Sequence, residues 1–185
     1  MGMRGGKRDC NAFGQALRIN ARILLLVILA ALPAIAVDAK ELPCPKERVI
    51  LSVFGKISHQ NYEGVAKLDR PMLASIGMTM LNTHSVYSTN AHDWNGVLMR
   101  DLLAYVGAHG QEVEFRALDG YHITIPVSDF FDFDVLLAMQ RDGQDLSIRS
   151  RGPTRLIYPI DNNRALRSQK YTPRFVWQIE KMTVK

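Results

Sequence analysis

Val113-Glu114-Phe115-Arg116-Ala117-Leu118-Asp119-Gly120-Tyr121-His122-Ile123-Thr124-Ile125 is the stretch that decides the fold class. Residues 113–117 alternate apolar and polar side chains, the period-two pattern of a strand with one buried face. Asp119-Gly120 suits a tight turn because glycine reaches positive φ without steric cost, and residues 121–125 return. The stretch predicts a β-hairpin. Toward the C-terminus, residues 135–139 (VLLAM) are a short continuous apolar run, consistent with a buried strand or one helical turn. Asp142-Gly143 predicts a second turn, with 146–148 following it. Residues 155–158 (RLIY) read as a strand between Pro153 and Pro159, and 175–184 as the terminal strand. Toward the N-terminus, Leu98, Leu102, Leu103 and Val106 recur at helical spacing and predict a helix over about 96–107. The Asn-, Ser- and Thr-rich residues 82–93 predict a loop, and 78–81 a strand. Asp69 can cap a short helix over 70–76, with Pro71 in its first turn and Gly77 at its end. Residues 48–54 (RVILSVF) read as a strand. The expected class is α+β, a mixed and mainly antiparallel sheet with few short helices.

The N-terminal 39 residues have a different character. Five basic side chains (Arg4, Lys7, Arg8, Arg18, Arg22) precede an uncharged apolar run of 15 residues, 23–37. Ala34-Ile35-Ala36 and Val37-Asp38-Ala39 then offer two small-x-small sites. This order predicts a cleavable secretory signal over 1–39, cut after Ala39 or Ala36. The run is shorter than the roughly 20 residues a spanning helix needs, so no membrane span is expected after cleavage. Glu41-Leu42-Pro43 before Cys44 lacks the small residue of a lipoprotein signal. Residues 40–47 are expected as a flexible arm and 48–185 as one domain, located in the periplasm or secreted. Cleavage removes five of the 23 basic and two of the 18 acidic residues, which leaves a formal charge of +2. The high isoelectric point thus belongs partly to the leader and does not argue for nucleic acid. Cys10 leaves with the leader, so no disulfide within the mature chain is expected, and Cys44 reads as an idle thiol, with pairing to a partner chain as the alternative.

The order of motifs carries a resemblance. Trp94-Asn95-Gly96-Val97-Leu98 with Asp101-Leu102-Leu103 precedes Asp119-Gly120-Tyr121. Ile125-Pro126, Leu136-Leu137-Ala138, Gly143 with Leu146, Gly152-Pro153-Thr154-Arg155-Leu156 with Pro159, and Trp177 before Ile179 follow. Over about 78–184 this series resembles the oxidoreductase molybdopterin-binding domain, the core of the sulfite oxidase family, and its short secreted members most. The resemblance implies that family's fold and a pocket faced by the loop 82–89 and the Gly152-Arg155 turn. It also implies how catalytic members work: a cysteine thiolate on that loop binds molybdenum, and a lysine before the last aromatic faces the pterin phosphate. Here 82–89 contains no cysteine, and Val176 stands before Trp177. A hydroxyl or imidazole does not freely replace a soft thiolate at a transition metal. Arg155 does match the arginine that helps hold the anionic cofactor. The leader has Lys7-Arg8 rather than a twin-arginine pattern, and a chain that crosses unfolded cannot retain a cofactor held by tertiary contacts.

Other chemistry has weaker support. His84 and His92, with Asp93 adjacent, stand eight residues apart, which is no recognised metal-ligand spacing, so no metal site is expected. Ser85 and Ser88 lie near His84 without a nucleophile elbow, so no catalytic residue is expected. Asp129, Asp132 and Asp134 interleave with Phe130, Phe131 and Phe133 and read as a solvated turn with its aromatics folded inward. Trp94, Tyr121 and Trp177 read as core or rim aromatics. Residues 149–174 hold Arg149, Arg151, Arg155, Arg164, Arg167, Lys170 and Arg174 against one acid, Asp161. Two readings fit this segment: a solvated loop face, or an anion-recognition rim. The functional expectation is a non-catalytic module that binds a small anionic ligand or a periplasmic protein partner. Thr83, His84, Tyr87 and Arg155 are its candidate pocket residues, no cofactor is expected, and nucleic acid is not a partner. The alternative is a molybdopterin-dependent oxidoreductase with an atypical metal ligand.

Overall fold

Ten strands make up two sheets in the computed structural model, which describes residues 41–185. The expected signal peptide and its two cleavage sites lie outside the described residues. The first sheet runs β2 (Val65–Asp69), β1 (Val49–Gly55), β10 (Ile179–Val184), β5 (Glu112–Ala117), β6 (His122–Pro126). Its β1–β10 pair is parallel and the rest are antiparallel. The second sheet is antiparallel throughout: β3 (Thr79–His84), β4 (Ala91–Leu98), β7 (Leu136–Arg141), β8 (Gln144–Asp145), with β9 (Arg155–Ile157) also on β7. Three short helices intervene: α1 (Arg70–Ile76), α2 (Met99–Tyr105) and α3 (Ser128–Asp132). Among the described residues no helix is long and apolar enough to cross a membrane.

The central hairpin forms as its pattern dictates. Val113, Phe115 and Ala117 point inward from β5, and Gly120 turns at a φ of +87°. They join Leu51, Val53, Leu73, Leu102, Phe130, Leu137 and Tyr158 in one core shared by both sheets. Each buried valine, leucine or phenylalanine among them contributes about 1.5–3 kcal/mol by leaving water. A smaller cluster, Trp94, Leu136, Ala138, Leu146 and Ile157, packs on the second sheet.

Several elements depart from expectation. Residues 82–93 form a hairpin rather than a loop, paired from Thr79↔Gly96 to His84↔Ala91. Their polar side chains satisfy one another across the strands, as Asn82 does by donating to Asp93 Oδ1 at 2.6 Å. The helix expected from 96 begins at Met99 because Gly96–Leu98 pair with β7. Gly96 lets the strands approach: a Cβ there would meet the Leu137 carbonyl oxygen at 2.1 Å. The terminal strand begins only at Ile179, since Val176 and Trp177 pair with β9 instead. The acidic turn is α3, with Asp129 and Phe130 buried and Phe131 63% exposed.

Residues 41–47, expected as a flexible arm, lie against the domain. Leu42 is buried and its N–H donates to Gln60 O, while Asn61 Nδ2 donates to Pro43 O. The Asp69 carboxylate accepts from Lys46 N, Glu47 N and Met72 N, and so caps α1 while anchoring the segment. Burial pushes the Asp69 carboxyl up, but these backbone donors outweigh it and leave it lowered. Cys44 is not a free thiol, against the idle role expected for it. The chain's other cysteine, Cys10, lies outside the described residues.

Candidate functional site

β9 is short, but it is held on both sides. It pairs with β7 through Ala138↔Arg155, and Arg155 bridges Trp177 on its other edge. The turn before it is tightly built: Ser147 and Ser150 exchange hydrogen bonds, and a Cβ on Gly152 would meet Leu146 at 2.5 Å. Arg151 in that turn takes a left-handed φ of +67°, which costs a non-glycine residue about 1 kcal/mol or more. These constraints fix Arg155 at the floor and Arg151 at the lip of a cleft.

The cleft encloses about 300 Å³. Arg141, Arg149, Arg151 and Arg155 line it together with Ser85, Ser88, Ser150, Tyr87, His92 and Trp94, and no acid is among the lining residues. Arg155 is only 3% exposed. Its guanidinium lies 4.6 Å from the Trp94 ring and Nη2 donates to Ser85 Oγ at 3.3 Å. Among the described residues its Nε has no hydrogen-bond partner. Burial, followed by the charges of Arg151 and Arg141, lowers the Arg155 pKa to about 10, partly offset by Tyr87. Among the described residues, Arg149, Arg151 and Arg155 take part in no salt bridge. A buried cation without an anion is costly, and the missing charge is one a ligand can bring.

Ser88 and His92 in one wall continue in a line to Asp142, which lies outside the lining. His92 Nε2 lies 3.1 Å from Ser88 Oγ, and Nδ1 lies 2.7 Å from Asp142 Oδ2. Ser88 Oγ, however, gives its one hydrogen to Asn90 O at 2.8 Å. With that hydrogen on Asn90 O the hydroxyl is not held ready for transfer to the imidazole, so the line does not activate the serine.

Of the four residues anticipated for the pocket, Tyr87 and Arg155 line this cleft. Thr83 and His84 do not. Thr83 Oγ1, His84 N and His84 Nδ1 all meet Asp161 Oδ2, at 3.1, 2.7 and 2.8 Å. These bonds tie the end of β3 to the 161–167 segment, where Arg167 adds a further bond to Asp161 Oδ1. Sequence reasoning did not find Ser85, Ser88, His92 or Arg141 as lining residues. Arg149 and Arg151 were visible in the basic segment, and Trp94 belongs both to the core and to the cleft wall. The remaining basic residues divide by partner: Arg174 pairs with buried Asp129, which also accepts from Tyr158 Oη at 3.0 Å.

The sequence model of the oxidoreductase molybdopterin binding domain matches residues 70–176, more than half of the chain, and the protein belongs to that family. Among solved structures, the sulfane dehydrogenase SoxCD from Paracoccus pantotrophus is similar at a TM-score of 0.56 and 16% sequence identity. The match covers 77% of this chain and 39% of that one, and it establishes a sulfite oxidase-like fold. No curated protein matches the chain. Residues 70–176 include the cleft but omit β1, β2 and β10 of the first sheet.

The cleft residues fit the anionic part of a molybdopterin, because guanidinium groups suit phosphate. They do not fit its metal. The described residues hold one cysteine, Cys44, which is not in the cleft. The donors that are present are hydroxyls, guanidiniums and one imidazole.

Proposed function

We propose that this protein is an exported binding domain of the sulfite oxidase fold that holds a small anion, without molybdenum, in the arginine cleft. The observation that carries the reading is Arg155, a buried guanidinium with an unpartnered Nε in a cleft lined by three further arginines and no acid. An oxyanion there gains charge-assisted hydrogen bonds and relieves the repulsion among the cations. The absence of a thiolate among the lining residues and the general secretory character of the leader support the metal-free part of the reading.

Calorimetry and thermal shift with sulfate, phosphate and small carboxylates test it. Arg155→Ala weakens anion binding by about one to two orders of magnitude, and Arg155→Lys restores it only in part because a point charge cannot reproduce the guanidinium fork. If no anion stabilises the wild type, the anion reading falls. Protein recovered from its native compartment contains no molybdenum and begins between Val37 and Lys40. The competing reading, a molybdopterin-dependent oxidoreductase with an atypical ligand, rests on the family match and on the fit of the cleft arginines to the anionic part of a molybdopterin. Near-stoichiometric molybdenum in native material would establish it instead.

A further inference from the structure

A second depression adjoins the cleft and shares a wall with it. It encloses about 450 Å³ and is lined mainly by Tyr87, Tyr121, Pro173, Phe175, Val176 and Trp177. Tyr87 belongs to both spaces. Its ring meets Trp177 edge to face at 4.9 Å, and the Arg151 guanidinium lies over both, 4.6 Å from Trp177 and 5.5 Å from Tyr87. The walls are fixed rather than loose. Tyr121 Oη donates to Pro173 O at 3.0 Å, and Trp177 is bridged to Arg155 through the backbone. One acid, Asp119, lies at the rim, and its Oδ1 accepts from Tyr121 N at 2.9 Å within its own turn.

We propose that cleft and groove form one composite site whose ligand is a small aromatic acid, its sulfonate or carboxylate among the arginines and its ring against Tyr87 and Trp177. The inference rests on the anion reading of the cleft and adds the ligand's second half. Charge complementarity sets the polarity of the ligand: cations line one end and apolar rings the other. An inorganic oxyanion fills only the cleft and leaves the aromatic walls wet. A neutral arene fills only the groove and leaves the guanidiniums unmatched. Arg151 at the seam serves both halves, as a cation toward the acid and as a stacking plane beside the ring. The groove volume admits one or two fused rings.

Calorimetry on the full chain with benzenesulfonate, methanesulfonate and neutral benzenesulfonamide separates the halves. Benzenesulfonate binds about tenfold or more tighter than methanesulfonate, because the ring removes apolar surface from water, and benzenesulfonamide binds too weakly to measure. Trp177→Ala brings benzenesulfonate to within about threefold of methanesulfonate and leaves methanesulfonate itself nearly unchanged, which also reports intact folding. Tyr121→Ala, on a side chain 43% exposed that lines the groove and not the arginine cleft, repeats the test should the tryptophan variant not fold. If methanesulfonate binds and benzenesulfonate is no tighter, or if both variants weaken the two ligands equally, the composite site is overturned while the anion reading stands. If neither sulfonate nor any inorganic anion binds, the anion reading fails and the composite site with it.

Discussion

Arg174 and Arg155 both leave the solvent, one beside a carboxylate and the other beside more cations. The Arg174 side chain is 11% exposed and meets Asp129, which Tyr158 also bonds. Burial alone would push the Arg174 pKa down, yet the hydrogen bond and charge of Asp129 raise it. Burial pushes Arg155 down as well, and there the neighbouring charges of Arg151 and Arg141 push the same way. The chemistry of the side chain is identical, so the difference lies in the partner. A matched cation closes a structure internally. An unmatched one in an open cleft is held ready for a charge from outside.

The largest expected effect breaks the matched pair. Arg174→Ala leaves Asp129 charged, buried and uncompensated, and urea unfolding should show a loss of about 3–5 kcal/mol. Arg155→Met should behave in the opposite sense: without ligand it changes stability by less than about 1 kcal/mol or raises it, because a costly unpaired charge is removed. An anion such as sulfate then no longer stabilises the variant. If Arg155→Met costs as much as Arg174→Ala, the contrast between the two arginines is lost.

A third test uses Asp161. Partial burial pushes its carboxyl up, but the backbone N–H and ring of His84 and the Thr83 hydroxyl outweigh that and lower it to about 2. A carboxyl held below its ordinary value stabilises the fold above the unfolded pKa, near 4, and that contribution disappears as pH falls toward 2. Asp161→Asn should therefore flatten the acid-induced loss of stability in that window. The effect is below about 1 kcal/mol, since a side chain 30% exposed is screened by water. The smallest expected effect is Arg149→Ala, at the exposed edge of the cleft. It weakens anion binding by less than about threefold and reduces the salt dependence of binding.

The local elements were largely legible in the sequence. The Asp69 cap, the 70–76 helix and the Asp119-Gly120 turn depend on neighbours a few residues apart, and the chain carries those signals directly. The 82–93 hairpin was hidden because its strands are polar and are stabilised by cross-strand pairs and by β7. Arg155 could be singled out from the Gly-Pro-x-Arg order, but its missing partner could not. That property depends on Ser85, Arg141 and Trp94, which the topology gathers from three different elements. Thr83 and His84 stand on the same short stretch as Tyr87, and nothing in one dimension separates residues that face Asp161 from one that faces the cleft.

Asp69 makes the segment before β1 part of the folding unit. A protease that cut between residues 47 and 48 and released the shorter piece would take away Lys46 N and Glu47 N, two of the donors on a carboxylate that is 1% exposed. Met72 N would remain as the helix-side donor, so a cut ahead of the first strand would be felt at the start of α1. The shortest proteolytic fragment that keeps the native fold therefore begins near Leu42, and fragments that begin at Arg48 should be digested further.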